Sequence, residues 1–200
     1  MSKANLARLV VMISGNGSNL QAILDACAAG LLRAQVAAVV SNQPAAYGLE
    51  RARKAGVVAQ VFVKQKDQTR EVYDAALADL VSAYQPDWVI LAGWMRILSR
   101  HFLDRFPNRV INLHPALPGT FPGTHAIERA YQAFLSGEIA ETGVMVHLVP
   151  DEGVDIGPVL GVEHVPILKG EPLEILEARI HAVEHRLLVD TLRKIIHSND

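Results

Sequence analysis

The chain has 200 residues, half of them hydrophobic and 20% charged, which suits one compact domain over 1–200 and excludes global disorder. Nineteen Lys and Arg stand against twenty-one Asp and Glu, so there is no basic footprint for nucleic acid or a membrane surface. Cys27 is the only cysteine, which rules out an intrachain disulfide and suits a reducing, cytoplasmic setting, and the apolar run at 9–13 is too short for a signal segment or a membrane span.

The first half alternates strand and helix patterns. Residues 9–13 read as a buried strand, and 20–29 carry helical spacing that stops at Gly30. A second strand is expected at 36–40, a helix at about 48–55, and a third strand at 57–63. The spacing predicts a helix over 67–84, with Tyr73, Leu77, Leu80 and Tyr84 on one face and Pro86 beyond its end. Residues 88–92 and 110–114 read as the fourth and fifth strands. A helix is expected at 123–135, then strands at 143–149 and 159–165. The connection between those two is too short for a parallel crossover, so this end of the sheet should be antiparallel. A long helix from about 172 to 196 closes the chain, with Leu173, Leu176, Ile180, Val183, Leu187, Leu192 and Ile195 as its apolar stripe. The fold class expected is α/β: a Rossmann-like open mixed sheet, mostly parallel, with an antiparallel C-terminal edge and helices on both faces.

Ligands of open α/β sheets bind beyond the carboxyl ends of the parallel strands. The fifth strand ends in Asn112 and His114, two residues apart and therefore on one face. Pro115 stops the strand there. An amide beside an imidazole can stabilise an oxyanion and move protons. After the first strand comes SGNGSN at 14–19, where Gly15 and Gly17 allow close backbone approach and Ser18 or Asn19 can cap the next helix, a site suited to phosphate. Gly93, Trp94 and Met95 follow the fourth strand and suit a flat apolar slot. The later loop at 151–155 offers three carboxylates, and one beside His114 would raise its pKa and relay a proton.

Other chemistries lack their signatures. SGNGSN has Leu20 where a dinucleotide fingerprint has its third glycine, and Ser41-Asn42-Gln43 offers no acidic ribose ligand, so no nicotinamide cofactor is expected. There is no HExxH, paired-Cys or GxSxG motif. His181 and His185 are spaced to share a metal on a helix, but no third ligand is evident, so no metal is expected.

Five motifs in order carry a family resemblance: ISGNGSNLQA at 13–22, LAGWMRIL at 91–98, NLHP at 112–115, FPGTHA at 121–126 and GVDIGP at 153–158. Over about residues 8–195 the chain resembles the phosphoribosylglycinamide formyltransferases, folate-dependent enzymes of purine biosynthesis. Trp94 departs from the Phe more usual there, the 115–120 stretch lacks the double Leu before proline, and the acidic loop is one residue longer than in some members. The resemblance implies a catalytic trio of Asn112, His114 and Asp155. It implies that Gly17, Ser18 and Asn19 hold the ribonucleotide phosphate, with Glu184 and His181 near its ribose or glycinamide. It gives Met95, Arg96, Ile97 and Leu98, with Arg70 and the loop residues Asp151 and Val154, to the folate. The implied partners are small molecules, with 10-formyltetrahydrofolate as formyl donor, and both a monomer and a homodimer remain open.

Overall fold

The computed structural model describes residues 6–197. One seven-stranded sheet has the order β3-β2-β1-β4-β5-β6-β7. Its strands are β1 (Ala7–Ile13), β2 (Ala34–Ser41), β3 (Val58–Val61), β4 (Trp88–Leu91), β5 (Val110–His114), β6 (Glu141–Leu148) and β7 (Val159–Pro166). The helices are α1 (Ser18–Ala28), α2 (Tyr47–Lys54), α3 (Arg70–Ser82), α4 (Arg100–Leu103), α5 (Ala126–Leu135) and α6 (Leu173–His197). β1 to β5 pair in parallel, while β6 runs antiparallel to both β5 and β7. The expected mixed sheet is the observed one.

The central strands are apolar throughout because both faces are covered. Leu9, Val11 and Ile13 of β1 face a core built with Leu20, Ile23 and Leu24 of α1, Leu49 and Ala52 of α2, Ile127 of α5, and Leu176, Ile180, Leu188 and Leu192 of α6. Val10 and Met12 face the opposite side, packed with Tyr73, Leu77 and Val81 of α3 and Phe102 and Leu103 of α4. Alternation along one strand thus serves two cores. The second core draws nothing from β6 or β7. Asn112, His114 and His147 lie on the face that α3 and α4 cover, but beyond the stretch those helices reach, on a shelf roofed by the loops at 115–125 and 149–158.

Several boundaries differ from the sequence reading. α3 begins at Arg70 rather than near 67, because the Thr69 hydroxyl accepts from the Val72 N–H and caps it. α5 begins at Ala126, after the left-handed His125 (φ 57). α4 has only four residues, too few to show a period. Along α6 the buried positions are Leu176, Ile180, Glu184, Leu188, Thr191, Leu192 and Ile196. Leu173, Val183, Leu187 and Ile195 pack only partly against the core. Leu176, Ile180 and Leu192 are buried as expected, while Glu184, Leu188 and Ile196 take the places expected of Val183, Leu187 and Ile195, so the stripe carries a carboxylate in its middle.

Candidate active site

Asn112 and His114 share a face at the end of β5, as their spacing requires. In the antiparallel pair next door, Asn112 stands opposite His147 and His114 opposite Met145. His147 is 2% exposed and was missed from sequence, where it sits unmarked in an apolar run. The strand register shifts between Val146 and His147, an irregularity of the kind that re-aims side chains beside sites.

Asp155 completes the cluster from the 149–158 connection. Gly157 lets that connection fold back, since a Cβ there would lie 1.8 Å from the Leu148 carbonyl oxygen. The Leu148 N–H donates to the Pro158 carbonyl across the same contact (2.9 Å). Asp155 takes a positive φ of 55°, which an Asp tolerates better than most residues. Its Oδ1 accepts from Asn112 Nδ2 (2.9 Å) and its Oδ2 from the Gly123 N–H (2.8 Å). His114 Nδ1 is 3.3 Å from Oδ2, and His147 Nε2 is 3.5 Å from Oδ1. Asn112 Nδ2 also lies 3.1 Å from His147 Nε2, and His147 Nδ1 is 2.8 Å from the Leu148 carbonyl.

The second nitrogen of His114, Nε2, is 3.0 Å from the Phe121 carbonyl oxygen. Both ring nitrogens therefore face acceptors, which only the doubly protonated ring satisfies in full. Burial works against that charge. It pushes the His114 pKa below the ordinary histidine value, although the Asp155 charge and the Phe121 carbonyl pull it upward. The upward shift expected from a neighbouring carboxylate is thus overturned by desolvation. Burial alone would raise the Asp155 carboxyl. The His147 ring, the Gly123 N–H and the charge of His114 outweigh it and hold Asp155 below its usual range. The site is an ionised carboxylate beside a neutral imidazole whose charged form already has partners.

The glycine-rich turn after β1 opens onto the N-terminus of α1. Gly17, not Ser18 or Asn19, is the N-cap, and no side chain caps the helix. The first N–H groups of the helix have no partner within it, so they remain available to an anion. Gly17 has φ 75°, and a Cβ there would lie 2.7 Å from the Gly48 Cα. Arg51 of α2 braces the turn, donating from Nε to the Asn16 carbonyl (2.9 Å) and from Nη2 to Asn16 Oδ1 (2.9 Å). The Ser14 hydroxyl accepts from the Met95 N–H (2.9 Å), tying this turn to the one after β4.

Asn19 turns its amide toward α6, where Nδ2 donates to Glu184 Oε2 (3.4 Å). The same oxygen lies 2.7 Å from His181 Nδ1, a bond that raises the His181 pKa. Asn19 Oδ1 is buried without a partner. Glu184 is 5% exposed and His181 half-exposed, so a carboxylate stands at the floor of this corner and an imidazole at its rim.

The residues after β4 divide. Met95 and Ile97 are exposed by 67% and 50%, two apolar side chains presented to solvent. Arg96 places its guanidinium over the Tyr73 ring at 5.2 Å. Leu98 is buried in the core with α3 and α4, so any contact it makes with a ligand runs through its backbone. Trp94 is buried there too, rather than lining a slot. Arg70 is ion-paired with Glu152, whose other oxygen accepts from the Arg100 N–H at the start of α4 (3.0 Å). Asp151 accepts from the Gly153 N–H (2.8 Å) within the loop, and Val154 is partly exposed. Among the described residues no group of three or more His, Cys, Asp and Glu is placed to hold a metal ion, and no helix is long and apolar enough to cross a membrane.

Comparison with known proteins agrees with this arrangement. A family model described as formyl transferase matches residues 7–192. The chain is 47% identical over 206 residues to a phosphoribosylglycinamide formyltransferase of Schizosaccharomyces pombe, covering 97% of this chain and 99% of that one. It is 42% identical to the Escherichia coli protein of that name, over 90% of this chain and 82% of that one. A glycinamide ribonucleotide transformylase structure from Geobacillus kaustophilus superposes with a TM-score of 0.89 at 42% identity, covering 96% of this chain and 99% of that one. With a mixed sheet of this order, a polar cluster on its shelf and near end-to-end identity at this level, the chain belongs to the formyl transferase family, among the phosphoribosylglycinamide formyltransferases.

Proposed function

We propose that this formyltransferase moves the formyl group of 10-formyltetrahydrofolate to the primary amine of N1-(5-phosphoribosyl)glycinamide, in de novo purine biosynthesis. The observation that carries the reading is the largely buried, hydrogen-bonded set Asn112, His114 and Asp155 at the end of β5. A helix N-terminus suited to phosphate lies on the adjoining turn. In this reading Gly17, Ser18 and Asn19 hold the phosphate through backbone N–H groups, and Glu184 with His181 takes the hydroxyl or amine groups beyond it. The turn after β4 and the loop at 151–155 take the folate: Met95 and Ile97 by apolar contact, Arg96 and Leu98 around them, and Asp151 and Val154 from above. Arg70, already paired with Glu152, takes a folate carboxylate with the remaining N–H groups of its guanidinium.

The amine attacks the formyl carbon, and the carbonyl electron pair moves onto oxygen. Asn112 Nδ2 turns from Asp155 to that oxygen. Nε2 of neutral His114 exchanges the Phe121 carbonyl for the amine and accepts the proton that the amine sheds, and Asp155 holds the resulting imidazolium through Nδ1. The same ring gives the proton to N10 as the carbon–N10 bond breaks. Positioning and a preset donor carry such an acyl transfer, so no covalent enzyme intermediate and no metal are required.

The test offers 10-formyltetrahydrofolate with the ribonucleotide and, separately, with water as the only acceptor. Formylated ribonucleotide is expected, with little free formate. His114→Ala should lower kcat by roughly 10²–10⁴-fold, the usual worth of a placed proton-transfer group, and leave both affinities close to wild type. Near-wild-type turnover by a folded His114→Ala protein would sink the mechanism.

A further inference from the structure

Glu152 sits on the 149–158 connection, three residues before Asp155, in a turn that the sequence marks only as acidic. Its carboxylate holds two groups of the helical frame. Oε1 accepts from the Arg100 N–H at the start of α4 (3.0 Å), and Oε2 is ion-paired with Arg70 Nη2 at the start of α3. That frame is firmly joined, because the Ser99 N–H donates to Oδ2 of Asp74 on α3 (2.6 Å), and Asp74 is 1% exposed. Among the described residues, Glu152 makes the only hydrogen bonds that tie 150–154 to the rest of the protein. The bond from the Gly153 N–H to Asp151 stays inside the loop.

Asp155 needs such a hold. Its φ of 55° is a conformation that side chains disfavour, and backbone of this kind persists only where its surroundings over-determine it. On its C-terminal side the chain is fixed by the fold-back at Gly157 and by the bond from the Leu148 N–H to the Pro158 carbonyl (2.9 Å). On its N-terminal side only Gly153 and Val154 separate it from Glu152. The loop thus stands on two carboxylates: Glu152 on α3 and α4, and Asp155 on Asn112 and the Gly123 N–H.

We propose that Glu152 is a positioning residue for Asp155: seated on Arg70 and the Arg100 N–H, it holds the loop so that Asp155 stays within reach of Asn112 and His114 during turnover. With Glu152 released, the strained Asp155 is held from one side only, and its carboxylate drifts from the ring whose charge it must balance. The same ion pair orients Arg70, which leaves the remaining N–H groups of that guanidinium to the donor's carboxylate. The inference rests on the proposed reaction for the role of Asp155.

The charged groups facing Glu152 are Arg70 and Glu71 of α3. Those facing His114 are Asp155, His147 of β6 and Arg129 of α5. The Gly123 N–H reports the seat of Asp155 directly, since it donates to Oδ2 (2.8 Å). In Glu152→Ala its exchange with solvent should quicken by about tenfold or more, while the amides of β1 keep their wild-type protection. Nuclear magnetic resonance should show His114 titrating about half a pH unit lower, a fraction of the shift of about 1–3 units that a fixed neighbouring charge gives. kcat should fall about tenfold, with KM for the folate raised and KM for the ribonucleotide within about twofold of wild type. Global melting should barely change, because part-exposed ion pairs contribute little. Arg70→Met separates seating from plain charge. Loss of a positive charge alone would raise the His114 titration, whereas an unseated Glu152 lowers it. On Gly123 exchange the double variant should do no more than Glu152→Ala alone, as expected of two groups that act as a unit. Unchanged Gly123 exchange in Glu152→Ala would overturn the proposal. So would wild-type kcat in that variant, or a His114 that titrates higher in Arg70→Met. If His114→Ala retains turnover, the proposed reaction falls, while Gly123 exchange still decides whether Glu152 seats Asp155.

Discussion

Asp155→Asn isolates the charge beside His114. Asn tolerates the left-handed conformation at this position about as well as Asp, so the backbone at φ 55° has no new reason to move. The hydrogen bonding does change. Both carboxylate oxygens face donors, Asn112 Nδ2 on one and the Gly123 N–H on the other, so an amide must set its NH2 against one of them. The electrostatic magnitude follows from the 3.3 Å between His114 Nδ1 and Asp155 Oδ2. Two unit charges at that distance attract by about 5 kcal/mol at an effective dielectric of about 20. Both groups spread their charge, and opposite charges this close shift a pKa by about 1–3 units in practice, or about 1.4–4 kcal/mol. If the proton is fully on His114 in the transition state, kcat falls by about 10–10³-fold. His114 already titrates below the ordinary histidine value, and the variant should lower it further. The acid side of stability changes as well. The depressed pKa of Asp155 stabilises the fold above the usual carboxylate range, and that contribution is lost as pH falls through the folded value. Asp155→Asn lacks this limb, so its stability should depend less steeply on acid pH. The assays are single-turnover rates across pH, a His114 titration, and urea unfolding at several pH values. A variant with wild-type kcat and an unmoved His114 titration would refute the reasoning.

Two further outcomes are expected. Gly17→Ala places a side chain at φ 75° and 2.7 Å from the Gly48 Cα, so it should lower the melting temperature, with the backbone alone costing about 1–2 kcal/mol; an unchanged melt would mean the turn can shift without loss. Glu184→Gln removes the carboxylate that raises the His181 pKa. His181 should then titrate lower, the stability that the pair provides below the ordinary histidine pKa and loses at higher pH should disappear, and KM for the ribonucleotide should rise while that for the folate holds; equal effects on both substrates would remove the assignment.

Much of the frame is written in local patterns. The apolar runs of β1, β2, β4 and β5 mark buried parallel strands because two cores cover them, and the short 150–158 connection marks the antiparallel turn-back. Asn112 and His114 are legible because two polar residues at strand spacing interrupt an apolar run. Asp155 is legible only through the GVDIGP motif, since its approach to β5 depends on how a loop folds back past Gly157. His147 is illegible for a different reason: it reaches the site through register with Asn112, a property of two strands and not of either. Arg129 fastens the loop at 121–122 through carbonyl groups, which no side-chain pattern reports. Glu184 leaves a trace in hindsight, a carboxylate in step with Leu176, Ile180 and Leu188 on the buried side of α6.

The uneven cover of the sheet has a consequence for motion. The core under α3 and α4 takes only Val110 from β5 and nothing from β6, and the shelf beyond is closed by connecting loops. Those loops can lift without parting any helix from any strand, so admitting a substrate requires only local opening, well below the free energy of unfolding. The strands that carry Asn112, His114 and His147 keep their other face in the larger core while this happens. The protein can thus breathe at this cluster with its foundation still: Asp155 travels with its loop, while Asn112, His114 and His147 stay aligned on a surface that does not itself have to move.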